Sequence, residues 1–380
     1  MYMDGASKKI IIICHEPLTI RIKSNFYIDN FINAGFDLEY WDLSQVIFPG
    51  IRLADQLDMP YVKKINDLIL LEASLDFEEI SNTIFIVEVN YSWSNRFLFK
   101  TLSDKGCYIV RIDMYGNTVL KIPFKDKLTE LTISRIPKIL NRQIQQKRFE
   151  SFIRKNGMKG FDKIFSSSKF VINRVPINHP DYEAYQKSLV VETENKHIVF
   201  LDVFFPLHPD LVFMYRTKRV SADAYQRSLC TFFDAIEKKY DLPVVIAAHP
   251  KSDYSGNEFG GRRILKGNTA ILVREAAMVF LHSSNSVSSV ILNDKPFELI
   301  TNSEYNKIGL LRNAQKRLAN TLDKHVYNID KINMTDIEVR KMDTQIRQKY
   351  IYSYLTSEET QNASNANLIT AELNKLSGIK

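Results

Sequence analysis

A histidine directly follows a strand-like segment in the second half of the chain. Pro243–Ala248 is apolar and rich in β-branched residues, and His249, Pro250 and Lys251 come next. Proline cannot donate to a sheet ladder, so Pro250 ends the strand and leaves His249 at its carboxyl end. An imidazole beside a lysine can donate to a phosphate oxygen or protonate a leaving phosphate. A histidine that only completes a turn explains the segment equally well.

A run of small polar residues follows a second strand-like segment. The apolar Met278–Leu281 is followed by His282, Ser283, Ser284, Asn285 and Ser286. A helical pattern begins next, and the N–H groups and hydroxyls at a helix start can bind an anion. Serine and asparagine are also ordinary N-caps, but one cap is enough to begin a helix. The surplus of polar residues favours phosphate binding.

A third loop carries two carboxylates and a histidine. The strand-like run His197–Phe205 contains Asp202, and His208 and Asp210 follow within the sequence DVFFPLHPD. Because ligands of open parallel sheets bind at the carboxyl ends of strands, these side chains could line a cleft. An exposed, proline-containing loop explains the sequence equally well.

Acidic residues also follow two strand-like segments in the first half of the chain. His15 and Glu16 come after the first of these, with Arg21 nearby, and Asp113 ends Cys107–Asp113. A carboxylate or a histidine placed at a cleft can take a proton from a substrate hydroxyl. An acidic residue at a strand end more often caps the following helix. The candidates for catalysis are Glu16, Asp113, Asp202 and His249.

Strands and helices alternate around these residues. Lys8–Cys14 is a continuous β-branched run typical of a buried parallel strand, Lys23–Ala34 has helical spacing, and Phe36–Trp41 is the next strand. A helix over Pro60–Ala73 and a strand over Thr83–Val89 continue the pattern, which restarts in the second half. This alternation predicts two doubly wound, Rossmann-like α/β domains with parallel sheets.

The strand–helix alternation begins a second time in the second half of the chain, which indicates two domains. We place the first domain at residues 1–185 and the second at residues 186–330, with a polar stretch between the two alternating patterns. Residues 331–380 follow, and polar helices are predicted there over Thr335–Tyr354 and Ser357–Lys375. These helices could pack back on the first domain.

The bulk composition agrees with two folded domains and indicates an anionic partner. The chain has 380 residues, 45% of them hydrophobic and 25% charged, which is globular and too long for one ordinary core. The formal net charge of +7 favours nucleic acid, an anionic membrane or a phosphorylated molecule. Nucleic acid is not expected, because the sequence has no zinc finger, Arg-rich run or RNP motif. A solvated basic surface is the simple alternative.

Several familiar sites are missing from the sequence. It has no GxGxxG after the first strand, and no P-loop, HExxH or GxSxG motif. The three cysteines include no CxxC pair, so we expect no bound metal. The apolar run Ile10–Cys14 is too short to span a bilayer or form a signal core. We therefore expect a cytoplasmic protein, with any contact to the inner face of the plasma membrane being peripheral.

The second-domain segments resemble those of bacterial surface-polysaccharide glycosyltransferases with the GT-B fold. The resemblance covers roughly a hundred residues and rests on FLDVFFPLHPD, VVIAAHPKSDY, FGGRRILKGNTAILVREA and FLHSSNSVSSVILNDKPFELIT, in that order. It implies two Rossmann-like domains facing each other across a cleft. It also implies a nucleotide-sugar donor and an O-antigen or capsule acceptor, either lipid-linked or an oligosaccharide.

The His-Pro pair followed by Ser-Ser at a helix start is also similar to transferases that use CMP-activated sialic acid or Kdo. This similarity implies phosphate contacts by His249, Ser283 and Ser284. The acidic-acidic-Gly motif that the sialyl families carry in their first domain is not found, so UDP- and dTDP-sugars stay open beside CMP-sugars. GT-B enzymes generally work without a metal, and basic loop residues could then face the diphosphate. The donor-binding candidates are His208, His249, Lys251, Arg263, His282, Ser283, Ser284, Asn285 and Ser286.

Three other functions remain open at this point. The first is a nucleotide-sugar epimerase of GT-B shape, and the second is a polyol-phosphate transferase. The third is a non-catalytic scaffold for polysaccharide assembly. An epimerase needs no acceptor, whereas a scaffold would not depend on His249.

Overall fold

The computed structural model describes most of the chain. The residues described are 8–51, 55–113, 136–188, 196–208, 211, 220–333 and 336–376. Asp210 and Thr335 lie outside these ranges. No helix within them is long and apolar enough to cross a membrane.

Within the described ranges, seven parallel strands form the first sheet, in the order β3-β2-β1-β4-β5-β6-β7. The strands are β1 (Lys9–Cys14), β2 (Asp37–Asp42), β3 (Val62–Lys64), β4 (Thr83–Glu88), β5 (Tyr108–Asp113), β6 (Lys163–Ser166) and β7 (Arg174–Pro176). The α-helices of this half are α1 (Ile20–Asn25), α2 (Ile28–Asn33), α3 (Ser44–Ile47), α4 (Leu68–Asp76), α5 (Arg96–Asp104), α6 (Ile136–Asn156) and α7 (Pro180–Ser188). Short 3₁₀ turns cover Ile80–Asn82 and Trp93–Asn95.

The second sheet is also entirely parallel, with the order β10-β9-β8-β11-β12-β13. Its strands are β8 (His197–Leu201), β9 (Val244–Ala248), β10 (Ile264–Lys266), β11 (Ala276–Leu281), β12 (Phe297–Thr301) and β13 (Val326–Asn328). The α-helices that follow α7 are α8 (Ala222–Tyr240), α9 (Thr269–Arg274), α10 (Val287–Leu292), α11 (Ser303–Asn306), α12 (Gly309–Leu322), α13 (Thr344–Tyr350) and α14 (Asn365–Asn374). A 3₁₀ segment covers Glu258–Gly261, and a π-helical turn, Ile351–Leu355, extends α13.

Each sheet has a hydrophobic core on both faces. Successive side chains of a strand point to opposite faces. In β1, Ile10 and Ile12 therefore join one core while Ile11 and Ile13 join the other, and all four are fully buried. A fully buried isoleucine stabilises the fold by about 2 kcal/mol. This two-sided burial explains why the strands read as continuous apolar runs rather than as alternating ones.

Two predicted helices of the first domain are wrong in part. The helix expected over Lys23–Ala34 is divided into α1 and α2 at Tyr27, whose φ of 56° lies in the left-handed region. The Tyr27 hydroxyl donates to Glu183 and accepts from Asn365, so distant contacts fix this break. The segment predicted as the helix Pro60–Ala73 instead begins with β3, which pairs with β2. Helix α4 starts after Asp67, whose side chain caps it.

The C-terminal segment runs along both domains. Tyr350, Tyr354 and Leu355 pack in a core of the second sheet. Helix α14 then reaches the first sheet, where Ile369 and Leu373 are fully buried in its core. The helices predicted over Thr335–Tyr354 and Ser357–Lys375 are both shorter than expected, and they follow Asp343 and Ser364.

The polar region between the sheets holds a short helix. Helix α7 packs on the second sheet through Tyr182, which belongs to a core of that sheet. Just before α7, Asn178 contacts the segment that leads into α14. Asn178 donates to Thr360 and Asn365, and it accepts from Thr356 and Asn365. The connection between the two domains is therefore tied to the C-terminal segment.

Candidate active site

Asp202 and His249 lie side by side at the carboxyl edge of the second sheet. They follow the neighbouring strands β8 and β9, and the His249 backbone N–H donates to Asp202 Oδ2 at 3.4 Å. The Tyr254 hydroxyl donates to the same oxygen at 2.9 Å. Asp202 is 3% exposed, and its Oδ1 has no hydrogen-bond partner in the described part of the chain. Burial raises the pKa of Asp202 to about 6, although the Tyr254 hydrogen bond lowers it.

His249 forms a pair with His208. Their Nε2 atoms are 3.3 Å apart, and their rings meet edge to face at 4.5 Å between centroids. The Lys251 backbone N–H donates to His249 Nδ1 at 3.1 Å, which assigns the hydrogen of the neutral ring to Nε2. Burial, and then the charges of His208 and Lys251, hold the pKa of His249 well below its usual value. His249 is therefore a neutral hydrogen-bond donor at pH 7.

An ion pair joins the two domains at this edge. Lys251 Nζ lies 2.6 Å from Glu16 Oε1, and Arg21 Nη2 lies 2.8 Å from Glu16 Oε2. The Lys251 and Glu16 side chains are only 10% and 12% exposed. Burial by itself would raise the pKa of Glu16, but the charges of Lys251 and Arg21 outweigh it and lower the pKa. An ionised carboxylate held by two cations is a weak base, so this geometry does not favour Glu16 as the proton acceptor.

His15 precedes Glu16 and has a nitrogen available at the same edge. Its Nδ1 donates to the backbone carbonyl of Glu88, which leaves Nε2 as the acceptor nitrogen of the neutral ring. Nε2 lies 3.6 Å from Glu16 Oε1, and the His15 side chain is 24% exposed. From the sequence, His15 was expected only as a neighbour of Glu16. Its position directly after the central strand β1 was the signal for a role of its own.

Glu88 is a second residue of this edge that was not among the candidates predicted from the sequence. It ends β4, next to β1, whereas the predicted strand continued to Val89. Its Oε2 is buried with no hydrogen-bond partner among the described residues. Burial is the main reason that the pKa of Glu88 rises to about 7, with Arg111 lowering it and Asp113 and Glu16 raising it further.

Asp113 lies at the end of β5, next in the sheet after β4. Its Oδ2 accepts from the Ser166 hydroxyl at 2.8 Å. Asp113 therefore belongs to the same edge as His15, Glu16 and Glu88. Together they bring a histidine and three carboxylates to the carboxyl ends of β1, β4 and β5.

His282 is part of the core rather than of an accessible site. It is fully buried, Nδ1 donates to the Ile300 carbonyl at 2.6 Å, and Nε2 accepts from the Tyr225 hydroxyl at 2.9 Å. Its ring also stacks on Tyr305 at 4.2 Å. Burial lowers the pKa of His282 to about 4, so the ring is neutral. A buried ring with both nitrogens already hydrogen-bonded does not favour the predicted contact between His282 and the nucleotide-sugar donor.

The polar turn after His282 lies at the same carboxyl edge, but local contacts use part of it. The Ser283 hydroxyl pairs with the Tyr305 hydroxyl at 2.7 Å, and Ser284 Oγ accepts from the Ser286 backbone N–H at 3.2 Å. Asn285 is exposed. Phosphate binding by these residues stays a prediction.

Arg263 lies away from this edge. It immediately precedes β10 and lines a pocket with Lys196, Pro243 and Glu275, which are at the amino ends of their strands. Its predicted role in donor binding therefore conflicts with its place in the sheet. The neighbouring Arg262 is paired with Asp234 and Glu237 of α8.

Within the described ranges, no three His, Cys, Asp or Glu side chains converge as a metal site would require.

Solved structures share this two-sheet arrangement. The chain is similar to CalG4, the calicheamicin glycosyltransferase, with a TM-score of 0.55, 8% identity, and coverage of 98% of this chain and 99% of that chain. The spinosyn forosaminyltransferase SpnP matches with a TM-score of 0.48, 12% identity and coverage of 98% and 99%. The wall teichoic acid polymerase TagF matches at 0.49, 9% identity and coverage of 97% and 88%. No protein-family model and no curated protein sequence matches the chain.

The likeness to CalG4 identifies the fold. Two parallel-sheet, Rossmann-like domains with their carboxyl edges in contact are the GT-B arrangement of glycosyltransferases. At such low identity the likeness concerns the fold alone, and the two matches with TM-scores below 0.5 add no further argument. The predicted fold class, two doubly wound domains of the GT-B type, is confirmed.

Proposed function

We propose that the chain is a glycosyltransferase that moves a sugar from a nucleotide-sugar donor to an acceptor hydroxyl between the two domains. One observation carries the proposal. The second domain presents Lys251 and the neutral, hydrogen-donating His249 to the same place at which the first domain presents His15, after β1, and Arg21, in α1. Cations facing an imidazole base are the components of a sugar transfer that releases a nucleotide phosphate.

The chemistry divides between the two domains. His15 Nε2 takes the proton of the acceptor hydroxyl as its oxygen bonds to the anomeric carbon of the donor. The bond between that carbon and the phosphate oxygen breaks, and the electron pair leaves with the nucleotide. Lys251, Arg21 and the His249 N–H stabilise the negative charge that develops on the leaving phosphate. Which of CMP, UDP or dTDP carries the sugar is left open in this proposal.

The proposed acceptor is a surface polysaccharide unit, of the O-antigen or capsule kind, on a lipid carrier. The resemblance of the second-domain segments supports this acceptor class.

Helix α6 supports contact with an anionic membrane. Its side chains Leu140 and Ile144, one turn apart, are 51% and 48% exposed, and Lys147 and Arg148 are exposed on the next turn. Apolar side chains beside basic ones suit an anionic lipid surface. The protein should sediment with vesicles that contain anionic lipid and should stay in the supernatant with neutral vesicles.

The test is a panel of CMP-, UDP- and dTDP-sugars, with binding followed by thermal shift and products by mass spectrometry. His15→Ala should lower turnover about a thousandfold, because general-base catalysis contributes on that order. The thermal shift with the donor should remain, since His15 is assigned to the acceptor side. His325→Ala is the matched control, because His325 immediately precedes β13 at the opposite edge of the second sheet. Full turnover in His15→Ala, or no nucleotide sugar bound by the wild type, contradicts the proposal.

The His208–His249 pair favours a second candidate, transfer of a polyol phosphate. In that reaction the bond broken lies at phosphorus, and two imidazoles 3.3 Å apart could exchange a proton beside it. Product analysis separates the candidates. A sugar transferred without phosphate supports the first, and a transferred phosphodiester supports the second. A product that forms without acceptor indicates an epimerase, and no product with any donor favours a scaffold.

A further inference from the structure

The Glu16 carboxylate occupies an anion position between the two domains. Each of its oxygens meets a different cation, Lys251 from the second domain at 2.6 Å and Arg21 from the first at 2.8 Å. The contact between Glu16 and Lys251 joins residues 235 apart in the sequence. All three side chains are largely buried, with exposed fractions between 10% and 22%.

A phosphate group has the charge and the oxygen spacing to replace this carboxylate. Arginine binds carboxylate and phosphate oxygens through the same N–H groups, and lysine binds both as a point charge. The neutral His249 lies beside Lys251 as a third donor, since the Lys251 backbone N–H donates to His249 Nδ1 at 3.1 Å and leaves the ring hydrogen on Nε2. The arrangement therefore provides donors from both domains for one anion.

The Glu16 carboxylate is held by its two ion pairs rather than by a regular element. Glu16 lies in the loop between β1 and α1, outside any regular element. Its backbone carbonyl accepts from the Tyr40 hydroxyl at 2.6 Å, so the main chain is anchored by a contact that does not involve the carboxylate.

We propose that the Glu16 carboxylate holds the binding position of a substrate phosphate, and that the phosphate displaces it from Arg21 and Lys251. Substrate then replaces an internal ion pair as the link between the domains. This inference rests on the proposed function, since it places the donor phosphate at the same site. It also assigns Glu16 a role opposite to that of a catalytic base, because removing its charge should help anion binding.

The experiment measures binding of inorganic pyrophosphate to the full chain by isothermal titration calorimetry. Glu16→Gln should bind pyrophosphate about tenfold more tightly than the wild type, because the phosphate no longer competes with a carboxylate for two cations. Lys251→Met should bind it about tenfold more weakly. Glu39→Gln is the matched control, since Glu39 is a half-buried carboxylate paired with Lys9 elsewhere on the first sheet. Its affinity should equal that of the wild type.

Unchanged or weaker pyrophosphate binding by Glu16→Gln overturns the inference. If that variant does not fold, Glu16→Asp tests the same point, because the shorter side chain keeps the charge but cannot reach both cations. It should give a smaller gain, and no gain overturns the inference. The transfer assay is read separately. Tighter binding in Glu16→Gln without any transfer by the wild type contradicts only the proposed function, and transfer with unchanged binding contradicts only this inference.

Discussion

Replacing Glu88 by glutamine should stabilise the first domain, and the gain should appear only as the pH rises. Burial raises the pKa of Glu88 from an ordinary value of 4.5 to about 7 in the folded chain. The folded state therefore holds this proton more tightly than the unfolded state does. Between pH 4.5 and pH 7 the wild type loses stability as the pH rises, and above pH 7 the loss is complete. At about 1.4 kcal/mol per pKa unit, it amounts to roughly 3 kcal/mol.

The assay is urea unfolding of the wild type and Glu88→Gln between pH 4 and pH 8, followed by tryptophan fluorescence. Both tryptophans, Trp41 and Trp93, lie in the first domain, so the signal reports the domain that contains Glu88. The variant should gain up to about 3 kcal/mol over the wild type at pH 8 and little at pH 4.

The same substitution at the exposed Glu150 of α6 is the control, since surface changes usually shift stability by less than about 0.5 kcal/mol. A stability difference between Glu88→Gln and the wild type that does not vary with pH would refute the reasoning. A variant less stable than the wild type at pH 8 would refute it as well.

Two further predictions concern helices. Ser221→Ala removes the side chain that accepts from the Ala224 N–H at the start of α8, and should lower the free energy of unfolding by about 1 kcal/mol in chemical denaturation. Ser221→Asn should restore it, and an unchanged midpoint for the alanine variant would contradict the capping role. Leu373→Ala leaves a cavity in the first core and should cost about 2 to 5 kcal/mol, measured by tryptophan fluorescence. A loss below 1 kcal/mol would mean that α14 is not needed for that core.

The fold was predictable where local pattern and final packing agree. Ile10 to Ile13 are all fully buried, and a continuous β-branched run of this kind is typical of an internal parallel strand. The pattern failed where distant contacts decide, as at Tyr27, whose left-handed backbone is fixed by Glu183 and Asn365. Helix α12 was not assigned, because it begins at Gly309 without a side-chain cap and so has no local start signal.

The part of the site that directly follows predicted strands could be predicted from the sequence. Asp202 and His249 were selected because they follow strands, and the structure places them together. The same rule misjudged His282, since the sequence does not show that Tyr225 and the Ile300 carbonyl use both ring nitrogens. The pairing of Glu16 with Lys251 was beyond the sequence, because it depends on how the two domains meet.

The return of the C-terminal segment has a consequence for synthesis of the protein. On the ribosome, the strands of the first sheet emerge early, since β7 ends at Pro176. The core of that sheet still lacks Ile369 and Leu373, which emerge only after every strand of the second sheet. The strands of the second sheet are complete once Asn328 has emerged. The strands of the second domain are therefore complete before the first core is closed, and the first domain stays open to chaperones until helix α14 has emerged.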